Sequence, residues 1–247
     1  MILSIFQFKG GTGKTTCAAN LAGALADSGK KVLLIDADPQ AHLSNYFNPK
    51  RTPNLNDLIF TEKEYIPTPV RDNIDIVPSC LEVADMDLKL SQEIGRELKL
   101  SEGLSNIKKQ YDITIIDSSP YIGITTINTL VAADYILIPV QPEFFSAIGL
   151  TQMLTIIDKV KKLNKKLQIL GVFISRFDKR TCLHKAVKED IKNNLKNIVF
   201  NTEIRENISI AEASAHGKTI FEYAPNSHGA EDYLNLMKEI LIKLGVK

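Results

Sequence analysis

The first sixteen residues constrain the fold most tightly. Residues 1–7 form a short apolar run that reads as a buried strand. It leads into Lys9-Gly10-Gly11-Thr12-Gly13-Lys14-Thr15-Thr16, and the Ala- and Leu-rich residues 16–28 that follow read as a helix ending at Gly29. Val32-Leu33-Leu34-Ile35 is a second apolar run, which completes a strand–loop–helix–strand unit. Glycines at this junction let backbone N–H groups turn inward around a phosphate, and the helix dipole adds positive potential at the same point. Lys14 is placed to reach the β- and γ-phosphates of a nucleotide, and the Thr15 hydroxyl to bind Mg²⁺. The alternative is a glycine turn that binds nothing. Lys9 departs from the usual phosphate-loop pattern, which has a glycine where this chain has Phe8. A second lysine at the mouth of such a loop is either an ordinary surface charge or the partner of another phosphate.

The rest of the chain repeats the alternation. Strands are predicted at residues 74–78, 113–117, 135–140 and 167–174, with a short one near Val199. Helices are predicted at residues 123–133, 147–162, 183–195 and 230–244. Residues 41–72 read as a surface excursion with one short helix near residues 55–60, and residues 82–110 as one or two exposed helices. The strands are continuous apolar runs rather than alternating ones, as in a parallel sheet covered on both faces. The expected fold is a single-domain α/β P-loop NTPase over residues 1–247, with a mostly parallel twisted sheet and helices on both faces. With 44% hydrophobic and 24% charged residues, the composition excludes disordered and fibrous classes. The longest uncharged stretch, residues 118–133, is too short and too rich in Ser and Thr to span a bilayer, and the N-terminus lacks the basic flank of a signal peptide. Cys17, Cys80 and Cys182 are too dispersed for a disulfide framework, which points to a reducing, cytoplasmic setting.

Two acidic sites fit a nucleotide at the loop. Asp36 and Asp38 end the second predicted strand, on the edge where open α/β sheets bind ligands, and a carboxylate there can orient or deprotonate an attacking water. A plain Asp-Pro turn is the alternative. Asp117 closes the run Ile113-Thr114-Ile115-Ile116, where an acidic residue either holds Mg²⁺ or caps the next helix. No tetrapeptide of the guanine-reading type is present, so ATP is the expected nucleotide.

These motifs together resemble the ParA/MinD ATPases. Lys-Gly-Gly-x-Gly-Lys-Thr-Thr is the deviant Walker A box of that family, and Asp36-x-Asp38-Pro39-Gln40 resembles its switch segment. Asp117-Ser118-Ser119-Pro120 resembles its Walker B turn, and residues 139–150 its segment after the fifth strand. Glu212-Ala213, His216-Gly217-Lys218, Phe221-Glu222-Tyr223 and residues 229–233 resemble the C-terminal region of the ParA partition branch. The resemblance implies an ATP- and Mg²⁺-dependent hydrolase with weak basal turnover. In that reading Lys9 crosses an ATP-sandwich homodimer to touch the partner's nucleotide. Lys14 and Asp38 join it in catalysis, and Gly10, Gly11, Thr12, Gly13, Lys14, Thr15 and Thr16 hold the phosphates. Asp36 supports the metal and the loop, with Thr15 and Asp117 as metal ligands, and Arg176 lies in the segment near the adenine. The implied partners are non-specific DNA and a ParB-like adaptor that stimulates hydrolysis, and the implied location is the nucleoid.

Charge bears on the DNA partner. The first 150 residues carry a net −5 and the remainder +6. The two arginines that many chromosomal relatives carry near the C-terminus fall on Glu206 and Ser209, with Arg205 one residue away. Lys185, Lys188 and Lys192 share one predicted helix face and, with Arg205, are the candidate DNA contacts; a merely solvated face is the alternative. Because the first strand opens the sequence, no N-terminal operator-reading domain is expected. A MinD-like membrane-surface ATPase is the main rival, because Leu236, Ile240 and Leu244 form a stripe beside Lys238, Lys243 and Lys247. That stripe is expected to pack on the sheet instead. A positioner of protein cargo, with the same chemistry and another adaptor, is the other alternative.

Overall fold

The computed structural model describes residues 1–61, 64–143 and 146–246. Its strands are β1 (Ile2–Ile5), β2 (Val32–Ala37), β3 (Thr68–Arg71), β4 (Ile74–Val77), β5 (Ile113–Ser118), β6 (Tyr135–Val140), β7 (Gln168–Phe177) and β8 (Val199–Arg205). They form one sheet in the order β3-β4-β2-β5-β1-β6-β7-β8, parallel except for the β3–β4 pair. The helices are α1 (Lys14–Asp27), α2 (His42–Phe47), α3 (Leu55–Phe60), α4 (Met86–Ser91), α5 (Lys99–Ile107), α6 (Ile124–Ala132), α7 (Ser146–Val160), α8 (Cys182–Leu195), α9 (Ile208–Ala215), α10 (Ile220–Tyr223) and α11 (His228–Leu244). This is the α/β P-loop architecture expected from the strand–helix alternation.

Both sheet faces are covered because successive strand residues point to opposite sides. Leu3 and Ile5 of β1 join the core under α1, α2 and α11, whereas Ile2 and Phe6 join the core under α3 through α8. The chain leaves β1 toward β2 on one side and leaves β6 toward β7 on the other, so the crevice beside β1 is a topological switch point. Register then fixes the chemistry. Asp117 pairs with Ile5 across β1–β5 and with Asp36 across β2–β5, which brings the start of the glycine loop and both carboxylates to one sheet edge.

Several elements differ from the sequence reading. Residues 41–72 contain α2 and β3 besides the expected α3. The helix α2 starts from Ala41 at φ 52 and is held by its buried Leu43, Tyr46 and Phe47; β3 carries Pro69 and lies antiparallel at the sheet margin, where proline is tolerated. The helices α4 and α5 are exposed on one face only: Met86, Leu90, Leu100 and Leu104 are buried, whereas Leu88 and Glu102 are exposed. Asp87 of α4 caps α6 from outside, its Oδ1 accepting from Thr125 N (2.8 Å) and Oγ1 (2.6 Å). The N-cap residue of α6 is Gly123, where a Cβ would stand 1.7 Å from Asp87 Oδ2. At the far margin β8 is seven residues long. Its exposed edge is closed by carboxylates of α11: Glu239 accepts from Asn201 N and Thr202 N, and Asp232 from Arg205 N.

The C-terminal helices lock onto α1 through one buried amide. Asn20 donates to Thr16 O at 2.8 Å and accepts from Ile220 N at 2.6 Å. Asn20→Ala leaves Ile220 N unpaired and is expected to cost about 1–3 kcal/mol in denaturant unfolding. A loss below about 0.5 kcal/mol would contradict this role, since it is less than one ordinary net hydrogen bond.

Candidate active site

The glycine loop has the backbone a phosphate cradle needs. Gly11 and Gly13 have φ of 75° and 89°, in the left-handed region that side chains disfavour, and Gly13 caps α1 in that conformation. The loop, the start of α1 and the switch segment line a cleft of about 510 Å³ that includes Gly10, Lys14, Thr15, Thr16, Asp38 and Gln40. A cleft of equal volume between α3 and α5 is lined, among the described residues, by neither a lysine nor the phosphate loop, so size alone does not identify the site. Three contacts brace the loop from neighbouring strands. Ser175 Oγ at the end of β7 donates to Thr12 O (2.8 Å), Gln141 Nε2 after β6 donates to Gly11 O (2.7 Å), and Gln7 Nε2 donates to Pro139 O (3.3 Å).

Under the loop lies an unusual charge cluster. Thr15 Oγ1 donates to Asp117 Oδ2 at 2.7 Å, while Asp117 Oδ1 is buried with no hydrogen-bond partner. Burial, with Asp36 adding to it, lifts the Asp117 carboxyl to about 8 against the opposing pull of Thr15 and Lys14. Burial likewise raises Asp36 to about 6, although hydrogen bonds from Ser44 and Asp38 oppose the shift. Lys14 is pushed the other way: burial lowers it despite the attraction of Asp117 and Asp38. Neither sign of charge is therefore fully satisfied. An orphaned carboxylate oxygen fits a cation, and a buried lysine beside a nest of N–H groups fits an anion. Mg²⁺ with a triphosphate supplies both. Thr15 and Asp117 are the residues that fit the metal. Among the described residues no group of three or more His, Cys, Asp or Glu could hold a metal ion.

Asp36, expected from the sequence to support the metal and the loop, is engaged here with the loop. Its Oδ2 accepts from both Ser44 N and Ser44 Oγ at 2.7 Å, and its Oδ1 from Asp38 N at 3.2 Å, so both oxygens are committed. Asp38 is buried at the cleft wall and accepts from Gln40 N at 2.9 Å.

Other residues named from the sequence are placed differently. Lys9 lies outside the cradle at the cleft mouth, with its amine paired to Glu143. Arg176 has φ 52, and its guanidinium bonds Glu206 at 3.1 Å; it is Ser175, on the opposite strand face, that meets the loop. Arg205 is no free surface cation: it bonds Asp232 and Glu231. Lys188 is paired with Glu203 over the Phe177 ring. Both charges are matched within the chain, so a DNA contact by either would have to compete with these carboxylates. Lys185 is exposed and Lys192 half-buried, with no ion pair among the described residues. Phe144 and Phe145, and the side chains of residues 146–150, lie outside the described residues, as does Lys247. Sequence reasoning gave no role to Gln141, Ser175 or Ser44; each is an ordinary polar residue whose part depends on packing between distant strands.

An AAA-domain family profile matches residues 1–169, more than half of the chain. The sporulation initiation inhibitor protein Soj of Bacillus subtilis is 38% identical over 97% of both chains. The chromosome partitioning protein ParA of Caulobacter vibrioides is 34% identical over 97% of this chain and 93% of its own. The chain belongs to the ParA/Soj partition ATPases. Solved structures agree with this assignment. A putative plasmid partition protein of Borrelia burgdorferi bound to AMPPNP superposes with a TM-score of 0.81 and 28% identity, covering 98% of this chain and 97% of that one. Cobyrinic acid a,c-diamide synthase of Mycobacterium smegmatis, with an ATP analog and magnesium, gives 0.84 and 26% over 99% and 95%. The chain is thus an ATP hydrolase of this ParA/Soj family, with ATP and Mg²⁺ as its cofactors.

The charge cluster predicts a pH response of the nucleotide-free protein. Asp117 and Asp36 titrate above the ordinary carboxylate value when folded. Between about pH 4 and the raised values, the folded state holds more protons than the unfolded chain, so stability falls as pH rises through that window. Urea unfolding in EDTA is expected to show this fall from about pH 5 to about pH 8, and Asp117→Asn to flatten it. Stability that rises over the window, or one slope for both proteins, would contradict the account.

Proposed function

We propose that this ATPase works as an ATP-gated DNA-partition switch. Two nucleotide-loaded subunits join face to face, the joined pair holds DNA without sequence preference, and a ParB-type adaptor stimulates hydrolysis to release it. The observation that carries the reading is Lys9. Its backbone sits on the phosphate loop, where its carbonyl accepts from Lys14 Nζ, yet its side chain leaves the cradle for the cleft mouth. Lys14 already serves the local phosphates, so a second amine aimed outward suits the nucleotide of a second copy. The relatives' names, chromosome partitioning protein and plasmid partition protein, support the DNA cargo.

In this mechanism the loop N–H groups and Lys14 bind and orient the triphosphate. Bound Mg²⁺ would be held by Thr15 and Asp117 and would neutralise charge on the transferring phosphoryl group. Asp38 orients the attacking water and accepts its proton, and Asp36 holds the switch loop so that Asp38 stays at the cleft wall. No arginine reaches the loop among the described residues, so turnover is slow until a basic residue arrives in trans; such a residue raises phosphoryl transfer about 10³- to 10⁵-fold. Lys185 and Lys192 of α8 form the DNA-facing charge, and pairing two subunits doubles the phosphate contacts. The membrane-surface reading loses its support, because Leu236 and Ile240 of α11 are buried in the core; among the described residues no helix is long and apolar enough to cross a membrane.

Two experiments test this. Lys9→Ala should still bind ATP but remain a single chain by light scattering, whereas Asp38→Ala should form the ATP dimer with turnover reduced by about 10²-fold or more. An ATP dimer of Lys9→Ala would remove the cross-subunit contact. DNA retention should require ATP rather than ADP, and Lys185→Glu with Lys192→Glu should weaken it and lower its salt slope by about one unit per lost contact. Equal retention in both nucleotides would refute the switch, and an unchanged slope would move the DNA face off α8.

A further inference from the structure

The segment after β6 grips the phosphate loop from outside. Gln141 is buried, and its Nε2 donates to Gly11 O at 2.7 Å. Two residues on, Glu143 N donates to Gln141 O at 2.8 Å, a tight turn that directs the Glu143 side chain back along the loop. Its carboxylate takes the amine of Lys9, and the two side chains are about equally exposed, at 53% each. The same loop residue is held from inside as well, since Lys9 O accepts from both Thr12 Oγ1 and Lys14 Nζ at 3.3 Å. Lys9 is thus fixed at both ends: its backbone by the cradle and its amine by the neighbouring strand connection.

From this geometry we propose that Glu143 is a positioning residue for Lys9. It holds the amine in cis in the nucleotide-free subunit and surrenders it when a second loaded copy presents its phosphates. The inference rests on the reading of Lys9 as a cross-subunit contact. A single carboxylate is a weaker partner than a triphosphate for the same amine, so the exchange runs toward the dimer once nucleotide is present on the facing copy. The pair is half exposed and screened by solvent, which keeps the hold weak enough to break. Its effect is a modest brake: each dimer must release two such pairs, a cost that is outweighed when both copies present their phosphates. The anchoring of Gln141 on Gly11 matters here, because it ties the position of the carboxylate to the same loop that carries Lys9.

The test uses the full chain with Mg²⁺ and a non-hydrolysable ATP analogue, comparing wild type, Glu143→Gln and Glu143→Ala by sedimentation equilibrium. Both variants are expected to tighten analogue-dependent dimerisation by about twofold to thirtyfold, the span of two exposed ion pairs, and to leave the analogue-free protein monomeric. A second readout is independent of assembly. In nucleotide-free protein, acetylation of the Lys9 amine relative to Lys185, followed by mass spectrometry, should speed up severalfold in Glu143→Gln. Unchanged or weaker dimerisation of both variants, in a preparation whose wild type does dimerise, would overturn the proposal and leave the cross-subunit role of Lys9 standing. Unchanged labelling of Lys9 would overturn the cis pair itself. If wild type and variants all stay monomeric with the analogue, the cross-subunit reading falls and this inference falls with it.

Discussion

The structure turns on charges buried without full compensation. Parallel register places Asp117 between the phosphate loop and Asp36, and the loop returns Lys14 into the same crevice. Left to themselves, these groups drift toward their neutral forms: the carboxyls are raised and the lysine is lowered. Pair attraction is present, but burial outweighs it, as is common for ions held away from water. A site arranged this way is poorly satisfied when empty and well satisfied by a divalent cation with a polyphosphate. Local polar groups that conflict with the empty fold are what a ligand site costs in stability.

The same charges are wired into the rest of the chain. Asp36 holds Ser44 of α2, whose Oγ also accepts from Ser79 N at 2.8 Å. From the same helix, Tyr46 donates to Lys218 O, and Arg71 of β3 reaches Gly217 O at 2.6 Å while bonding Glu222 at 2.9 Å. The cation of Arg71 lies 5.6 Å from the Phe47 ring centroid. On its other side the segment is tied to α1 by Asn20. The switch loop and the C-terminal helices are therefore contiguous through packed, hydrogen-bonded groups.

Much of this was legible in the sequence where the signal was local. The glycine pattern specifies its own backbone, because Gly11 and Gly13 occupy conformations few other residues adopt. The long apolar runs of β2, β5 and β6 could only be buried strands, and acidic residues at their ends mark the sheet edge that binds ligands. Short or irregular elements were hidden. The six-residue α2 is held by tertiary burial of Leu43 and Phe47, β3 is interrupted by proline, and α10 packs on α1 with α9 against α10. Surface charge was the least legible, since a lysine or arginine does not announce its partner. Lys188 and Arg205 looked available for a polyanion, yet Glu203, Asp232 and Glu231 lie far away in sequence and near in space. Lys9 carried the opposite lesson: its position in the motif was telling, but its partner Glu143 came only from the strand order.

The central claim is that the crevice is complete only when cation and triphosphate arrive together. Calorimetric titration of the full chain with ATP, in magnesium and then in EDTA, tests it most directly. With magnesium, binding should be clear and of one site per chain. Without it, the phosphates lose their countercation and the Asp117 oxygen stays unpaired, and affinity should fall by roughly tenfold or more, the equivalent of about 1.4 kcal/mol. Equal affinity in both buffers would mean that the orphaned oxygen of Asp117 does not await a metal, and the charge balance proposed for this site would be wrong.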